Sequence, residues 1–493
     1  MKEQSKFSKV LSILLSVVLV ISSFYLLYQV IRLNVLPSKF LFPLTIGVVV
    51  LDAIFILLLI YFSKNVVSKI ICVVLTLLVC AASCFGGYYI SKTKSALSSI
   101  TNVAKHAKNT VSVIVKESSS IKNKSQLNGV SVGSLRLNEQ GSKKALKELS
   151  GEGIVLNQKE YDSMTALLEA FYNGEVDSII INESSRSQIL DMEAYSNFDS
   201  NTRVVYQTSY KVKNNDSATS VSDITSKPFN VLISGSDTRG GFDENGRSDV
   251  IMIATVNPKT HTILLTSVPR DFYVTTACDA GDGCMQGALD KITHTGIHGT
   301  NTTKRTVEQL LGIEINYTFK VGFDTVTELV DVLGGVDVYV EPGYATTTSE
   351  FSVHEGVNHL NAQQALAFAR ERYSYTEGDR QRTKNQQQVL MGIVKEATKP
   401  SVITNYAAIM DTIANTFSTT MSNAEITDLI KYQLNNNPTW KMEQYMVDGT
   451  GDTLMCAELG DAASVMVPDQ STVKMAKDKI NAVLAGKSSE DVK

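Results

Sequence analysis

Three long, predominantly apolar runs, at residues 10–31, 41–62 and 69–90, precede a chain in which apolar and polar positions alternate. Each run is near the ~20 residues a helix needs to cross a bilayer, and three in succession exclude a cleaved signal peptide with its single short apolar stretch. They predict a membrane region with three transmembrane helices over residues 1–91. Beyond it the period changes. Short apolar runs at 111–115, 129–133, 153–156 and 176–181 alternate with helical patterns near 142–149 and 161–173, which predicts a small α/β accessory domain over residues 105–212. The polar, turn-forming stretch 213–228 reads as a linker. After it, residues 229–235 read as a buried strand, and 249–256 with 263–268 as a hairpin turning at Asn257-Pro-Lys-Thr260. Strands at 317–321 and 336–340, with helices near 303–311, 324–333, 362–371, 379–397, 402–417 and 423–434, complete a second α/β domain over 229–455, a mixed sheet covered by helices. Residues 456–493 are left as a C-terminal segment with a disordered tail.

Charge sets the orientation. Lys2, Lys6 and Lys9 precede the first run and Lys64 and Lys69 lie between the second and third, against Arg32, Lys39, Lys92 and Lys94 on the other side. The bias favours a cytoplasmic N-terminus, and three spans then place the rest of the chain outside the cell, as a multi-pass protein of the cell membrane with its catalytic domain extracellular. With 493 residues, a net charge of −4 and no dense basic stretch, the chain lacks the profile of a nucleic-acid binder. Cys72, Cys80 and Cys84 fall in the third run as small packing residues. Cys278 and Cys284 bracket the turn-rich Asp-Ala-Gly-Asp-Gly and form a candidate disulfide in an oxidising compartment.

The candidate chemistry is a scatter of Arg and Asp residues that only a fold would bring together: Asp237 and Arg239, Arg247 and Asp249, Arg270 and Asp271, then Arg370, Arg372, Asp379, Arg380, Arg382 and Gln386. Guanidinium groups grip phosphate oxygens in bidentate geometry, so converging arginines point to a polyanion, most simply a pyrophosphate. Carboxylates among them point to Mg²⁺, with Mn²⁺ as a substitute, because the hard ion is commonly held by one or two carboxylates together with substrate phosphates. Asp379, Arg382 and Gln386 stand at i, i+3 and i+7 of one helix and share a face. A solvated charged face is the plain alternative, and the arginines just upstream count against it. Asp237 or Asp271 is the candidate to take a proton from an acceptor hydroxyl. The apolar faces near 324–333 and 386–397 are candidates for a lipid trough, although such faces are far more often core. His294 and His298 are four apart, but Gly296 lies between them and no HExxH pattern surrounds them, so packing roles are expected.

Five ordered motifs carry a resemblance: Ser236-Asp-Thr-Arg239, Arg247-Ser-Asp-Val250, Ser267-Val-Pro-Arg-Asp271, Phe323-Asp with Leu333-Gly-Gly-Val-Asp337, and Ala369-Arg-Glu-Arg372 with Gly378-Asp-Arg-Gln-Arg382 and Gln386. Together they resemble the LytR-CpsA-Psr family, and the layout of three spans with an accessory domain is similar to its streptococcal capsule-locus members. The resemblance implies a phosphotransferase that moves capsular polysaccharide from a polyprenyl-pyrophosphate carrier to peptidoglycan, with Mg²⁺ as cofactor and other capsule-assembly proteins as further partners. It implies Asp237, Asp249, Arg270, Asp271 and Arg372 as catalytic residues. Arg247, Arg270, Arg370, Arg372, Arg382 and Gln386 would hold the pyrophosphate, and Asp249 and Asp237 the metal. Two other classes compete. A membrane-bound transcriptional attenuator would need a DNA-reading element that the short cytoplasmic segments cannot hold, and a non-catalytic wall-binding protein would not need the arginines.

Overall fold

The computed structural model describes residues 6–62, 65–101, 106–136, 139–236, 244–279, 284–399, 402–414 and 416–492, and the chain falls into two compact units. The first unit comprises residues 1–101, 394–414 and 422–439. Its helices α1 (Lys6–Leu33), α2 (Ser38–Leu57, prolonged by a π-turn at Leu58–Phe62) and α3 (Val66–Thr101) include three segments long and apolar enough to cross a membrane. The α1–α3 seam is built from small residues. Ser12, Ser16 and Ser22 are buried on α1, and Thr76, Cys80 and Gly87 on α3. A Cβ on Gly87 would lie 2.5 Å from the Tyr25 ring, so glycine is what lets the two helices approach. Helix α3 runs on past residue 90, where the apolar run ends, because Ala96, Leu97 and Ile100 continue its buried face. The α12 helix (Val402–Ile413) packs on α3, and α13 (Asn423–Asn436) receives Thr101 at Asn423 (2.7 Å) and offers Lys431 to Asn34 (2.8 Å).

The second unit opens with the accessory sheet, ordered β3-β2-β4-β1-β5. Its strands are β1 (His106–Lys116), β2 (Ser131–Leu135), β3 (Asn157–Tyr161), β4 (Ser178–Asn182) and β5 (Thr202–Lys213), with helices α4 (Glu139–Gly151), α5 (Met164–Asn173), α6 (Arg186–Asp191) and α7 (Phe198–Asn201). β2 runs parallel to β3 and β4, and β1 antiparallel to β4 and β5. The centre of β4, Ile179–Ile181, is apolar without alternation because the strand is buried on both faces, Ile179 and Ile181 packing with Phe171 and Ile180 with Leu149. Two strands differ from expectation: β5 (Thr202–Lys213) has no counterpart among the expected strands, and β3 is displaced. Residues 153–156 are not a strand; Gly153 takes a left-handed turn (φ +81°) and Ile154 and Leu156 pack beside the core, while the polar Asn157–Tyr161 forms the edge. The stretch 213–228 is not loose. Thr219 donates its amide to the Asn316 carbonyl (2.8 Å), and Val221 to the Tyr317 hydroxyl (3.1 Å).

The central sheet has the order β16-β11-β6-β7-β8-β17. It comprises β6 (Phe229–Ser236), β7 (Ser248–Asn257), β8 (Thr262–Val268), β11 (Tyr317–Gly322), β16 (Phe417–Thr419) and β17 (Lys441–Met446). β11 is parallel to β6 and β17 to β8, and the remaining pairs are antiparallel, which makes the sheet mixed. One face is covered by α8 (Thr300–Leu311) and α14 (Gln470–Leu484), whose Val307, Val473, Ala476 and Ile480 join Leu232, Ile253 and Leu264 in one core. The segment 456–493, expected to lie outside the 229–455 domain, therefore contributes to its core. Its end is held too, as Glu443 accepts from Ser488 and from the Ser489 amide (both 2.8 Å). The helix expected over 402–417 stops at Ile413, because Phe417–Thr419 pairs with β11 instead. Smaller elements complete the domain: β9 (Tyr273–Thr275) with β10 (Leu289–Lys291), β12 (Val336–Val340) with β15 (Gly356–Leu360), the short β13 (Thr346–Thr347) with β14 (Ser352–Val353), and the hairpin β18 (Gly449–Cys456) with β19 (Asp461–Pro468). Helices α9 (Phe323–Leu333), α10 (Ala362–Arg370) and α11 (Asp379–Ala397) pack around β12 and β15, where Val330 and Val389 sit inside a filled apolar cluster. These two candidate trough positions are core.

Candidate active site

The site begins with the register of one hairpin. β7 and β8 pair antiparallel with Ile251 opposite Val268, and carrying that register two residues further sets Asp249 opposite Arg270. The Arg270 Nη1 donates to Asp249 Oδ1 at 2.8 Å, and the Thr293 hydroxyl reaches the same oxygen at 3.3 Å. Thr293 stands in the 3₁₀ turn Ile292–His298, which is tied down by its own amide to the Arg270 carbonyl (3.0 Å). Arg247, one residue before β7, brings Nη2 to 3.8 Å from Asp249 Oδ2. Helix α11 closes the cavity from the other side with Asp379, Arg382 and Gln386, the three residues that the helical spacing places on one face. Gln387, the next residue, points the other way and donates to the Tyr445 carbonyl (2.8 Å), which fixes α11 against the sheet.

The charges are close-packed and mostly buried. Burial alone would push the Asp249 carboxyl up, but Arg247 and Arg270 outweigh it and hold it below the usual range. Burial works against the charge on Arg270 as well, and Asp249 and Asp271 more than restore it. Arg382 is lowered, by burial and by repulsion from Arg270 and Arg372, despite its ion pair with Asp379. The Nε groups of Arg247, Arg270 and Arg382 are all buried, and among the described residues none of them finds a hydrogen-bond acceptor. The Asp271 carboxylate is too far from Arg270 Nε to accept, at 3.8 Å, and takes Lys291 Nζ at 3.1 Å instead. A buried N–H left without an acceptor costs about 1–3 kcal/mol, and two of these arginines, Arg270 and Arg382, line the cavity beside Asp249 with Arg247 next to it, which suits the oxygens of an anion.

Arg372 lies with its guanidinium 4.6 Å over the Tyr373 ring and close enough to Arg382 to repel it. Arg370 is an exposed residue at the end of α10, and Arg380 pairs outward with Asp448 at 2.7 Å. Asp237 and Arg239 lie outside the described residues. Cys278 and Cys284 form a disulfide with Cα atoms 6.4 Å apart. His294 and His298 each bond one carboxylate, Asp290 at 2.7 Å and Glu458 at 2.9 Å. Among the described residues no group of three or more His, Cys, Asp or Glu side chains is arranged to hold a metal. The donor set therefore does not fit a metal caged by protein alone. One ionised carboxylate, Asp249, beside arginine donors suited to phosphate does fit Mg²⁺ whose shell is completed by phosphate oxygens.

Gly296 sets the height of the loop that presents Arg247. A Cβ there would meet the Gly246 carbonyl and the Ser248 amide and hydroxyl, all at 2.5 Å. A Gly296→Ala variant is expected to fold but to displace Arg247 and Asp249, and a misplacement near 1 Å costs on the order of 10²-fold in rate. Steady-state turnover beside a melting curve checks it; unchanged turnover would show that the loop tolerates the shift. Lys291, Thr293 and Asp191, the carboxylate that takes Arg247 Nη1, belong to no motif in the sequence. Only tertiary packing reveals them.

The comparisons with known proteins bear on the same region. A model of the LytR_cpsA_psr family matches residues 194–482. The chain is 31% identical over 241 residues, 48% of its length and 76% of the relative's, to the polyisoprenyl-teichoic acid–peptidoglycan teichoic acid transferase TagU of Bacillus cereus (strain AH820). It is 35% identical over 196 residues, 40% of this chain and 60% of the relative, to the protein of that name from Bacillus subtilis (strain 168). A crystal structure of B. subtilis TagU matches with a TM-score of 0.41 at 28% identity, covering 52% of this chain and 97% of that one.

Proposed function

The chain belongs to the LytR_cpsA_psr family, and from that premise we infer that it is a membrane-anchored phosphotransferase that moves a glycopolymer from a polyprenyl-pyrophosphate carrier to a hydroxyl of peptidoglycan. The observation that carries this reading is the set of buried guanidinium Nε donors of Arg247, Arg270 and Arg382, without acceptors among the described residues, beside an ionised Asp249. In the proposed reaction the acceptor hydroxyl oxygen attacks the sugar-proximal phosphorus and the bond to the bridging oxygen breaks. The polymer is left on the wall as a phosphodiester, and polyprenyl monophosphate leaves. The arginines stabilise charge that grows on the departing phosphate, in a setting whose donors are already oriented. Gln386 and Arg372 border the same anion. Asp249 would hold Mg²⁺, or Mn²⁺ in its place, with Asp237 as a second ligand, and the ion supplies Lewis-acid neutralisation of the phosphate oxygens. Asp271 or Asp237 takes the acceptor's proton.

The finer assignments are also proposals. The polymer is read as a capsular polysaccharide because the three spans and most of the accessory domain lie before residue 194, outside the family model, in the layout that the sequence likens to capsule-locus members. An extracellular catalytic domain accords with the charge bias about the spans and with the disulfide. The test is to incubate the full chain in detergent with a polyprenyl-pyrophosphate-linked oligosaccharide, peptidoglycan and Mg²⁺. Sugar bound covalently to the wall, lost with chelator and restored by Mg²⁺, is the expected result. Absence of wall-bound sugar would refute the transfer reading, and transfer unchanged by chelator would refute the metal.

A further inference from the structure

The accessory domain reaches the candidate site at two points three residues apart. At the first, Glu244 is gripped by β1: Thr110 donates to its carboxylate, Lys108 pairs with it at 3.1 Å, and the backbones of Lys108 and Glu244 form a parallel bridge. Lys320 adds a bond to the Glu244 carbonyl at 2.8 Å. This contact anchors the loop that leads into β7. At the second, Asp191 at the end of α6 accepts from Arg247 Nη1. Helix α6 is itself fixed, since Arg186 pairs with Glu183 (2.6 Å) and Asp199 (2.9 Å).

The second contact is not needed to hold the loop, because Glu244 already does so. Its exposure is also lopsided. The Arg247 side chain is 9% exposed and that of Asp191 57%. Such a carboxylate can swing into water at little cost, whereas the guanidinium cannot be left without an anion. Asp249 shares the charge of Arg247 only from 3.8 Å, beyond hydrogen-bond reach, because its Oδ1 is engaged by Arg270 at 2.8 Å.

We propose that Asp191 is a resident counter-ion for Arg247, occupying the guanidinium edge that a pyrophosphate oxygen takes when substrate enters, so that the accessory domain sets the affinity of the site for its anionic substrate. This rests on the reading of Arg247 as a pyrophosphate ligand. Carboxylate and phosphate compete for one cation, and removing the carboxylate's charge favours the phosphate.

The test measures binding of inorganic pyrophosphate with Mg²⁺ by calorimetry, using the full chain in detergent. Asp191→Asn is expected to bind roughly tenfold more tightly than the natural chain, the size of one charge-assisted hydrogen bond no longer competing for the guanidinium. Asp191→Glu, which keeps the charge, should stay near the natural affinity and melting temperature, whereas Asp191→Asn, which leaves the buried Arg247 without that carboxylate, should melt lower than the natural chain and regain part of the difference when pyrophosphate is bound. Arg270→Lys should bind more weakly whatever Asp191 does. If the natural chain binds, Arg270→Lys weakens binding and Asp191→Asn is no tighter, the counter-ion role is overturned while the phosphotransferase reading stands. If the natural chain binds no pyrophosphate, both fall.

Discussion

Arg270→Lys is expected to fold normally and to lose transfer by on the order of 10²- to 10³-fold, equivalent to roughly 3–4 kcal/mol of transition-state stabilisation. Lysine keeps the positive charge opposite Asp249, so the ion pair that satisfies that buried carboxylate survives in some form. What is lost is the fork. Arg270 uses Nη1 on Asp249 and has a buried Nε without an acceptor, so a single guanidinium can bridge the carboxylate and an incoming phosphate; one ammonium on a flexible stem cannot reproduce that planar geometry. Raising Mg²⁺ should not restore the rate, since no metal ligand has changed. The measurement is kcat/KM for wall attachment beside a thermal melt, and near-natural transfer would mean that the arginine is structural.

Asp249→Asn should fail in both stability and activity. The amide cannot neutralise Arg247 and Arg270, and breaking one side of a buried charge cluster costs roughly 3–5 kcal/mol, which lowers the melting midpoint by on the order of 10 °C. Transfer should fall further, because the variant also lacks the carboxylate for Mg²⁺. The pH dependence separates this from a simple loss of ligand. The folded-state pKa of Asp249 lies below its unfolded value of about 4, so its ionisation stabilises the fold above that pH and the contribution fades as pH falls through the folded value. Natural protein should therefore lose stability more steeply than the Asn variant below about pH 4. Parallel slopes in the two melting series would show that Asp249 carries no such linkage.

How much of this was legible in the sequence depends on the range of the interaction that decides each element. Helix α11 spans Asp379–Ala397 as its periodicity requires, and the β7–β8 hairpin follows from two apolar runs about a turn; both are local. β3 carries the polar string Asn157-Gln-Lys-Glu-Tyr161 and becomes a strand only because β2 offers an edge. α14 is amphipathic over Gln470–Leu484, yet its membership of the core depends on strands more than 170 residues earlier in the chain. The motifs supplied Arg247, Asp249, Arg270 and Arg382 because arginine and aspartate are distinctive there. Thr293 and Asp191 are ordinary residues whose position is set by a 3₁₀ turn and by a neighbouring domain, and no local pattern announces them.

The most direct measurement is the identity of the lipid released on transfer. With a polyprenyl-pyrophosphate-linked oligosaccharide whose two phosphorus atoms are distinguished by isotope, attack at the sugar-proximal phosphorus releases polyprenyl monophosphate and leaves that phosphorus on the peptidoglycan. Release of polyprenyl pyrophosphate, with no phosphorus carried to the wall, would mean that the sugar–oxygen bond is cut and would contradict attack at phosphorus.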